Sequence, residues 1–303
     1  MARKFEVGSF WKHEDIMRAA VLIKAGQPVG LFNRGACCLW GDPANPAFLE
    51  ALSQAKSQPA ADIELSGVLL AENLVSLIDF ERIAERLRGL FSNEREIAHR
   101  FGSLASLLLP VKSAALPDLP AQLAPEIAGE GRFIPNWEPS GHRPAHQLAS
   151  ELAGLGVALP VFTPLDSQDK GEITDQYEGI LFCEGHGIPL FLEDYHDEGR
   201  VRGGHTLLKV DGKGVKLLQE GTVPGALFDV LVGEAVDRSS VLAARPLQKP
   251  FPVHIPEGSN PQAARLAILL YLQGWPAGKL SHLLLEEAVF GIAPAHSDEK
   301  RSG

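Results

Sequence analysis

Between residues 12 and 232 the chain alternates segments of helical apolar period with short apolar runs of strand length. That alternation restricts the fold to α/β, a mixed parallel and antiparallel sheet flanked by helices, because each amphipathic element must bury one face against another layer. The stretch "KHEDIMRAAVLIKAGQPVGLF" sets Ile16, Ala19, Ala20 and Ile23 on one helical face, stops at Gly26 and Pro28, and turns to strand at Val29. "NPAFLEALSQAKSQP" opens on Asn45 as N-cap with Pro46 at the first helical position. It aligns Phe48, Leu49, Leu52 and Ala55, and Pro59 closes it.

The period predicts further helices over "SLIDFERIAERLRGLF" and "SNEREIAHRFGSLASLLLP", the second opened by Ser92 or Asn93, with Glu96 completing a capping box from Asn93. A proline-rich connection leads to a strand at "GRFIPNW", a helix at "RPAHQLASELAGLG" ending near Gly154 and Gly156, and a strand at "VALPVFTP". Strands are then expected at "GILFCEG" and "IPLFLEDY", and a hairpin joins "HTLLKV" to "VKLLQEG" through "DGKG". Beyond the domain at 12–232, the composition predicts a proline-punctuated linker at 233–260. A helical extension at 261–294 and a disordered tail at 295–303 follow.

Composition narrows the function classes. The chain has 45% hydrophobic and 22% charged residues, which is ordinary for a folded domain. A net charge of −10 argues against broad, non-specific binding to nucleic acid, which needs a basic surface. The start carries basic residues with no apolar segment behind them, no run has the length to cross a bilayer, and three cysteines make no disulfide framework; a cytoplasmic location is expected. Neither a G-x-G-x-x-G turn nor a P-loop is present.

Cys37 and Cys38 point to opposite faces of a strand, so they cannot share an ion and read as small packing residues. His142 and His146 are four apart, but Pro144 starts a helix between them. Cys183, His186, Glu193, Asp194 and His196 are scattered, so no metal is assigned. The loop "TPLDSQDKGE" follows the strand "LPVF", the place where open α/β sheets bind ligands.

Taken in order, these segments resemble the YrdC-like family of threonylcarbamoyl-adenylate synthases, from about residue 12 to residue 232. The family's Pro-Thr-(Asp/Glu)-Thr-x-Tyr-Gly-Leu corresponds to Phe32, Asn33, Arg34, Gly35, Ala36, Cys37, Cys38 and Leu39, with Asp42 and Asn45 in step. Its Lys-x-Arg becomes Lys56-Ser57-Gln58, and its Val-Arg-Ile-Pro becomes Arg132, Phe133, Ile134 and Pro135. The Ser-Ala-Asn loop becomes Pro164-Leu165-Asp166 after a matching Thr163. Ser-Thr-Val becomes His205-Thr206-Leu207, and Leu-Arg-Glu-Gly becomes Leu218-Gln219-Glu220-Gly221.

The resemblance implies a three-layer YrdC-like fold with a twisted mixed sheet and a short helical C-terminal appendage, whose apolar residues would cover the sheet or form a homodimer contact. It also implies a concave site that binds a nucleotide or adenylate, with Lys56, Asn33, Arg34, Thr163, Asp166 and Thr206 as the binding residues. ATP or AMP with magnesium is the ligand set the family admits, and tRNA or double-stranded RNA the macromolecular partner; no membrane partner is expected. Holding a triphosphate takes several cations, and arginine is replaced by neutral glutamine at two motif positions. Little or no synthase activity is therefore expected unless Arg34, Arg132 or Lys170 restores the charge. Two rivals stand beside this reading: a divergent synthase still making an acyl- or carbamoyl-adenylate for tRNA modification, and a scaffold protein that binds a partner through its C-terminal helices.

Overall fold

The computed structural model describes residues 4–33, 35–167, 171–195, 203–239, 241, 259–272 and 280. In chain order these form β1 (Glu6–Ser9), α1 (His13–Lys24), β2 (Val29–Asn33), β3 (Ala36–Gly41) and α2 (Pro46–Lys56). Next come β4 (Ser66–Gly67), α3 (Ala71–Leu77), α4 (Glu85–Phe91), α5 (Glu94–Phe101), β5 (Ala105–Pro110), β6 (Glu126–Ile127) and β7 (Gly131–Trp137). After α6 (Arg143–Gly154), β8 (Val161–Pro164) leads to a small hairpin of β9 (Asp166–Ser167) and β10 (Gly171–Glu172), then to α7 (Gln176–Gly185) and β11 (Leu190–Glu193). β12 (Thr206–Asp211), β13 (Gly214–Gln219), α8 (Ala226–Val232) and α9 (Pro261–Leu272) follow.

Among the described residues eleven strands make one mixed sheet in the order β1, β11, β2, β3, β8, β4, β7, β5, β12, β13, with β6 paired to β7 beside this path. The β2–β3 hairpin shows how the sequence divides the two faces. Leu31, Cys38 and Trp40 point into one buried cluster, with Ile16, Ala19, Ala20 and Ile23 of α1 and Ala145, Leu148 and Leu152 of α6. Phe32, Cys37 and Leu39 point into the other, with Phe48 and Leu52 of α2, Phe91 of α4, Phe101 of α5 and Phe228 of α8. This period of two, with helices on both sides, produces three layers. The α1–α6 cluster extends as far as Trp137 of β7 and includes no residue of β5, β12 or β13.

Local signals hold where capping or turn chemistry is strong. The Asn45 side chain accepts from the Ala47 N–H at 3.1 Å, and Gly26 takes a φ of 80° at the end of α1. Asn93 caps α5 by accepting from the Arg95 and Glu96 amides, and β12 and β13 pair antiparallel around their turn.

Three expected elements are different in the structure. "SLIDFERIAERLRGLF" does not form one helix: α3 ends at Leu77, Ile78 bridges Val111 in extended conformation, and the Asp79 side chain caps a short 3-10 turn before α4 begins. "SNEREIAHRFGSLASLLLP" divides at Gly102 and Ser103, the latter with a φ of 60°, into α5 and the fully buried strand β5. A short apolar run has no periodicity to separate buried strand from helix. "GILFCEG" is helical within α7, which Asp175 caps through the Glu178 N–H. Gly179 and Cys183, one turn apart, face the sheet; a Cβ on Gly179 would lie 2.5 Å from Cys37 Sγ, and one on Gly30 would lie 2.4 Å from Cys183 Sγ. Close approach of helix to sheet, rather than strand pairing, determines that segment.

Helix α9 packs chiefly against α8 and α5, with Ala264 and Ile268 buried in the same core. The 295–303 tail, most of the linker and most of the 261–294 extension lie outside the described residues. No helix among the described residues is long and apolar enough to cross a membrane.

Candidate functional site

The cavity of interest measures about 150 Å³ and opens on the sheet face beyond the α1–α6 layer. Asn33, Ala36 and Cys38 of the β2–β3 hairpin form one wall, and Phe162 and Pro164 of β8 a second. Ser66, Ser106, Leu207 and Gln219 contribute from β4, β5, β12 and β13, and Glu64, Glu172 and His205 complete the lining. Among the described residues that line it there is no lysine or arginine.

Its character is aromatic and hydrogen-bonding. The His205 imidazole lies parallel to the Trp137 indole, with centroids 5.1 Å apart and 4° between planes. Phe162 meets both rings edge-on, at 5.6 Å from His205 and 6.4 Å from Trp137. Asn33 is 2% exposed, and its Oδ1 has no hydrogen-bond partner among the described residues; the same holds for the buried Trp137 indole N–H. Buried polar atoms are ordinarily paired, and the Asn33 side chain lines the cavity.

The segment that carries His205 is fixed on either side. Gly203, with a φ of 134°, donates its N–H to the Gly35 carbonyl at 3.0 Å. The Gly204 carbonyl accepts from the Thr222 N–H at 2.9 Å. Thr206 is wholly buried; its hydroxyl donates to the Val223 carbonyl and accepts from the Gly221 N–H. Its hydroxyl is thus committed to backbone, and Thr206 does not line the cavity.

Of the other residues expected at the site, Asn33 lines the cavity, while Thr163 is buried in β8 opposite Leu39 and does not. Lys56 and Asp166, 110 positions apart, are brought together: Lys56 Nζ lies 3.1 Å from Asp166 Oδ2. Asp166 in turn pairs with Glu172 across β9 and β10. Arg34 and Lys170 lie outside the described residues. Arg132 donates to the Ala124 carbonyl at 3.4 Å; it stands five positions before Trp137 on β7, about 17 Å along the strand. Phe133, at that same far end, has the Arg82 guanidinium and the Lys209 ammonium 4.8 and 5.0 Å from its ring centroid, and does not line the cavity.

All three cysteines are buried thiols outside any disulfide, and burial pushes the Cys183 thiol up to about 12 and raises Cys38 further. Neither of these two thiols is disposed to form a nucleophilic thiolate at neutral pH. His142 caps α6, accepting from the Ala145 N–H, while His146 is exposed. His196 lies outside the described residues, and no group of three His, Cys, Asp or Glu disposed to hold an ion occurs among those described.

Glu64, Ser66, Ser106 and Glu172 carry no signal in the sequence, since they come from three separate segments with no common spacing. His205 and Gln219 stand at motif positions of the resemblance, and the change of residue type there is the signal that points to them.

No protein-family model matches the chain, and no curated protein matches it. Solved structures do. P. abyssi Sua5 complexed with L-threonine superposes with a TM-score of 0.57 at 19% identity, over 81% of this chain and 67% of that one. A doubly substituted form of P. abyssi Sua5 gives 0.54 at 16% identity, over 77% and 65%. E. coli YciO gives 0.54 at 13% identity, over 74% of this chain and 97% of that one. The chain thus spans about two thirds of Sua5 and nearly all of YciO. At these identities the likeness is one of fold, and together with the layered mixed sheet it shows that this chain has the YrdC-like fold of those structures.

Proposed function

We propose that the cavity binds an adenine nucleoside or nucleotide of low charge, and that the chain does not synthesise threonylcarbamoyl-AMP. The observation that carries this reading is the buried, unpartnered amide oxygen of Asn33 at a cavity walled by aromatic rings and lined by no described cation. A side-chain amide offers one acceptor and two donors, the complement of the amino edge of adenine. Phe162 supplies apolar ring surface beside a base. A triphosphate would need several cations, and the lysine retained from the phosphate-binding motif is engaged by Asp166.

Ser66, Ser106 and Gln219 serve as neutral partners for a ribose, while Glu64 and Glu172 disfavour added phosphate charge by like-charge repulsion. The net charge of −10 favours a small ligand over RNA. A cytoplasmic protein with reduced, buried thiols fits the same reading.

Thermal-shift titration with adenosine, AMP, ATP and tRNA tests it, alongside pyrophosphate release from ATP with bicarbonate and L-threonine. Stabilisation by adenosine and AMP exceeding that by ATP, with no pyrophosphate released, is expected. Threonine-dependent pyrophosphate release would establish the divergent synthase instead, and stabilisation by tRNA alone would replace the small ligand by RNA.

A further inference from the structure

The cavity is small for the ligand class assigned to it. Pockets for small molecules ordinarily measure roughly 300–1,000 Å³, and this one measures about 150 Å³. The group that reduces it is a side chain of the protein itself: His205 lines the cavity and lies flat on Trp137, in the parallel arrangement a nucleobase would adopt on an indole. Phe162 stands steeply across both rings, and it lines the cavity together with His205, whereas Trp137 does not.

Resting on the nucleoside reading above, we infer that His205 is a self-inserted ring, and that a planar heterocycle binds by displacing it from Trp137 and stacking on the indole in its place. The chain around His205 permits this movement while keeping its neighbours still. The movement is a rotation of the side chain alone: on one side the backbone is held by the Gly203 N–H on the Gly35 carbonyl and the Thr222 N–H on the Gly204 carbonyl. On the other, Thr206 is held by Val223 and Gly221, so the displacement stops at that residue and leaves β12 in register with β5. The indole face is preformed, because Trp137 is wholly buried at the edge of the α1–α6 cluster. Binding affinity is reduced by whatever fraction of molecules has His205 in place, a cost that falls on ligands with a flat ring and not on ribose.

The test is calorimetric titration of the full chain with adenosine and with ribose, for wild type, His205→Ala, Trp137→Phe and the double variant. His205→Ala is expected to tighten adenosine binding about tenfold, the size of one base–aromatic contact, and to leave ribose unchanged. Trp137→Phe keeps a ring in the core, so folding is preserved while the indole face is lost; it is expected to weaken adenosine in both backgrounds. Weaker or unchanged adenosine binding in His205→Ala, with wild type binding adenosine, would overturn the displacement and leave the nucleoside site standing. Absence of adenosine binding in both wild type and His205→Ala would overturn both.

Discussion

Lys56 Nζ lies 3.1 Å from Asp166 Oδ2, a contact across 110 positions that ties the end of α2 to the first residue of β9. The lysine is 9% exposed and the aspartate 42%, so the pair is half in water and its net contribution is modest. Lys56 thus ties α2 to the hairpin that carries Glu172. Lys56→Ala is expected to lower unfolding free energy by about 0.5–1 kcal/mol in urea titration, with adenosine affinity little changed. Loss of adenosine binding in a folded Lys56→Ala protein would return the lysine to the ligand.

Asn136 acts as a surrogate strand for a segment that has little pairing of its own. Its Oδ1 accepts from the Leu69 N–H at 2.8 Å and its Nδ2 donates to the Leu69 carbonyl at 3.2 Å, with the side chain wholly buried. Asn136→Ala leaves both backbone groups unpaired in the interior and is expected to cost roughly 2–4 kcal/mol. Denaturant unfolding measures it; a loss below about 1 kcal/mol would mean that the segment after β4 relaxes to other partners.

Glu138 gives stability a pH dependence of defined sign. It is 2% exposed, and burial pushes its carboxyl up to about 6, against the pull of Ser140 hydrogen bonds and the Arg265 charge. The folded chain holds this proton more tightly than the unfolded one, whose carboxyl titrates near its ordinary 4.5. The favourable contribution is thus complete below pH 4.5 and is lost as pH rises through 6, a difference of about 2 kcal/mol. Glu138→Gln is expected to gain stability relative to wild type by about that amount between roughly pH 4 and pH 7, measured by urea unfolding at each pH. A constant difference across that interval would contradict it.

The sequence discloses elements whose ends carry their own chemistry. Asn45 with Pro46, Gly26, and the "DGKG" turn each act within a few residues, so α1, α2 and the β12–β13 hairpin fall where their residues indicate. It misleads where burial decides. "ASLLLP" is a strand because it lies between β7 and β12, and "GILFCEG" is a helix because Gly179 and Cys183 fit against β2 and β3. The site divides the same way. Asn33 is visible as a motif position, but the Lys56–Asp166 pair and the stacking of His205 on Trp137 depend on tertiary placement that no spacing encodes.

The most direct measurement of the nucleoside site is calorimetric titration of adenosine into wild type and Asn33→Leu. The leucine removes the amide at similar size, with folding checked by the thermal midpoint. A saturable one-site isotherm for wild type, weakened at least about tenfold in a folded Asn33→Leu protein, is the expected result. Equal adenosine binding by the two proteins would contradict the role given to Asn33, and an absence of binding in wild type would contradict the site itself.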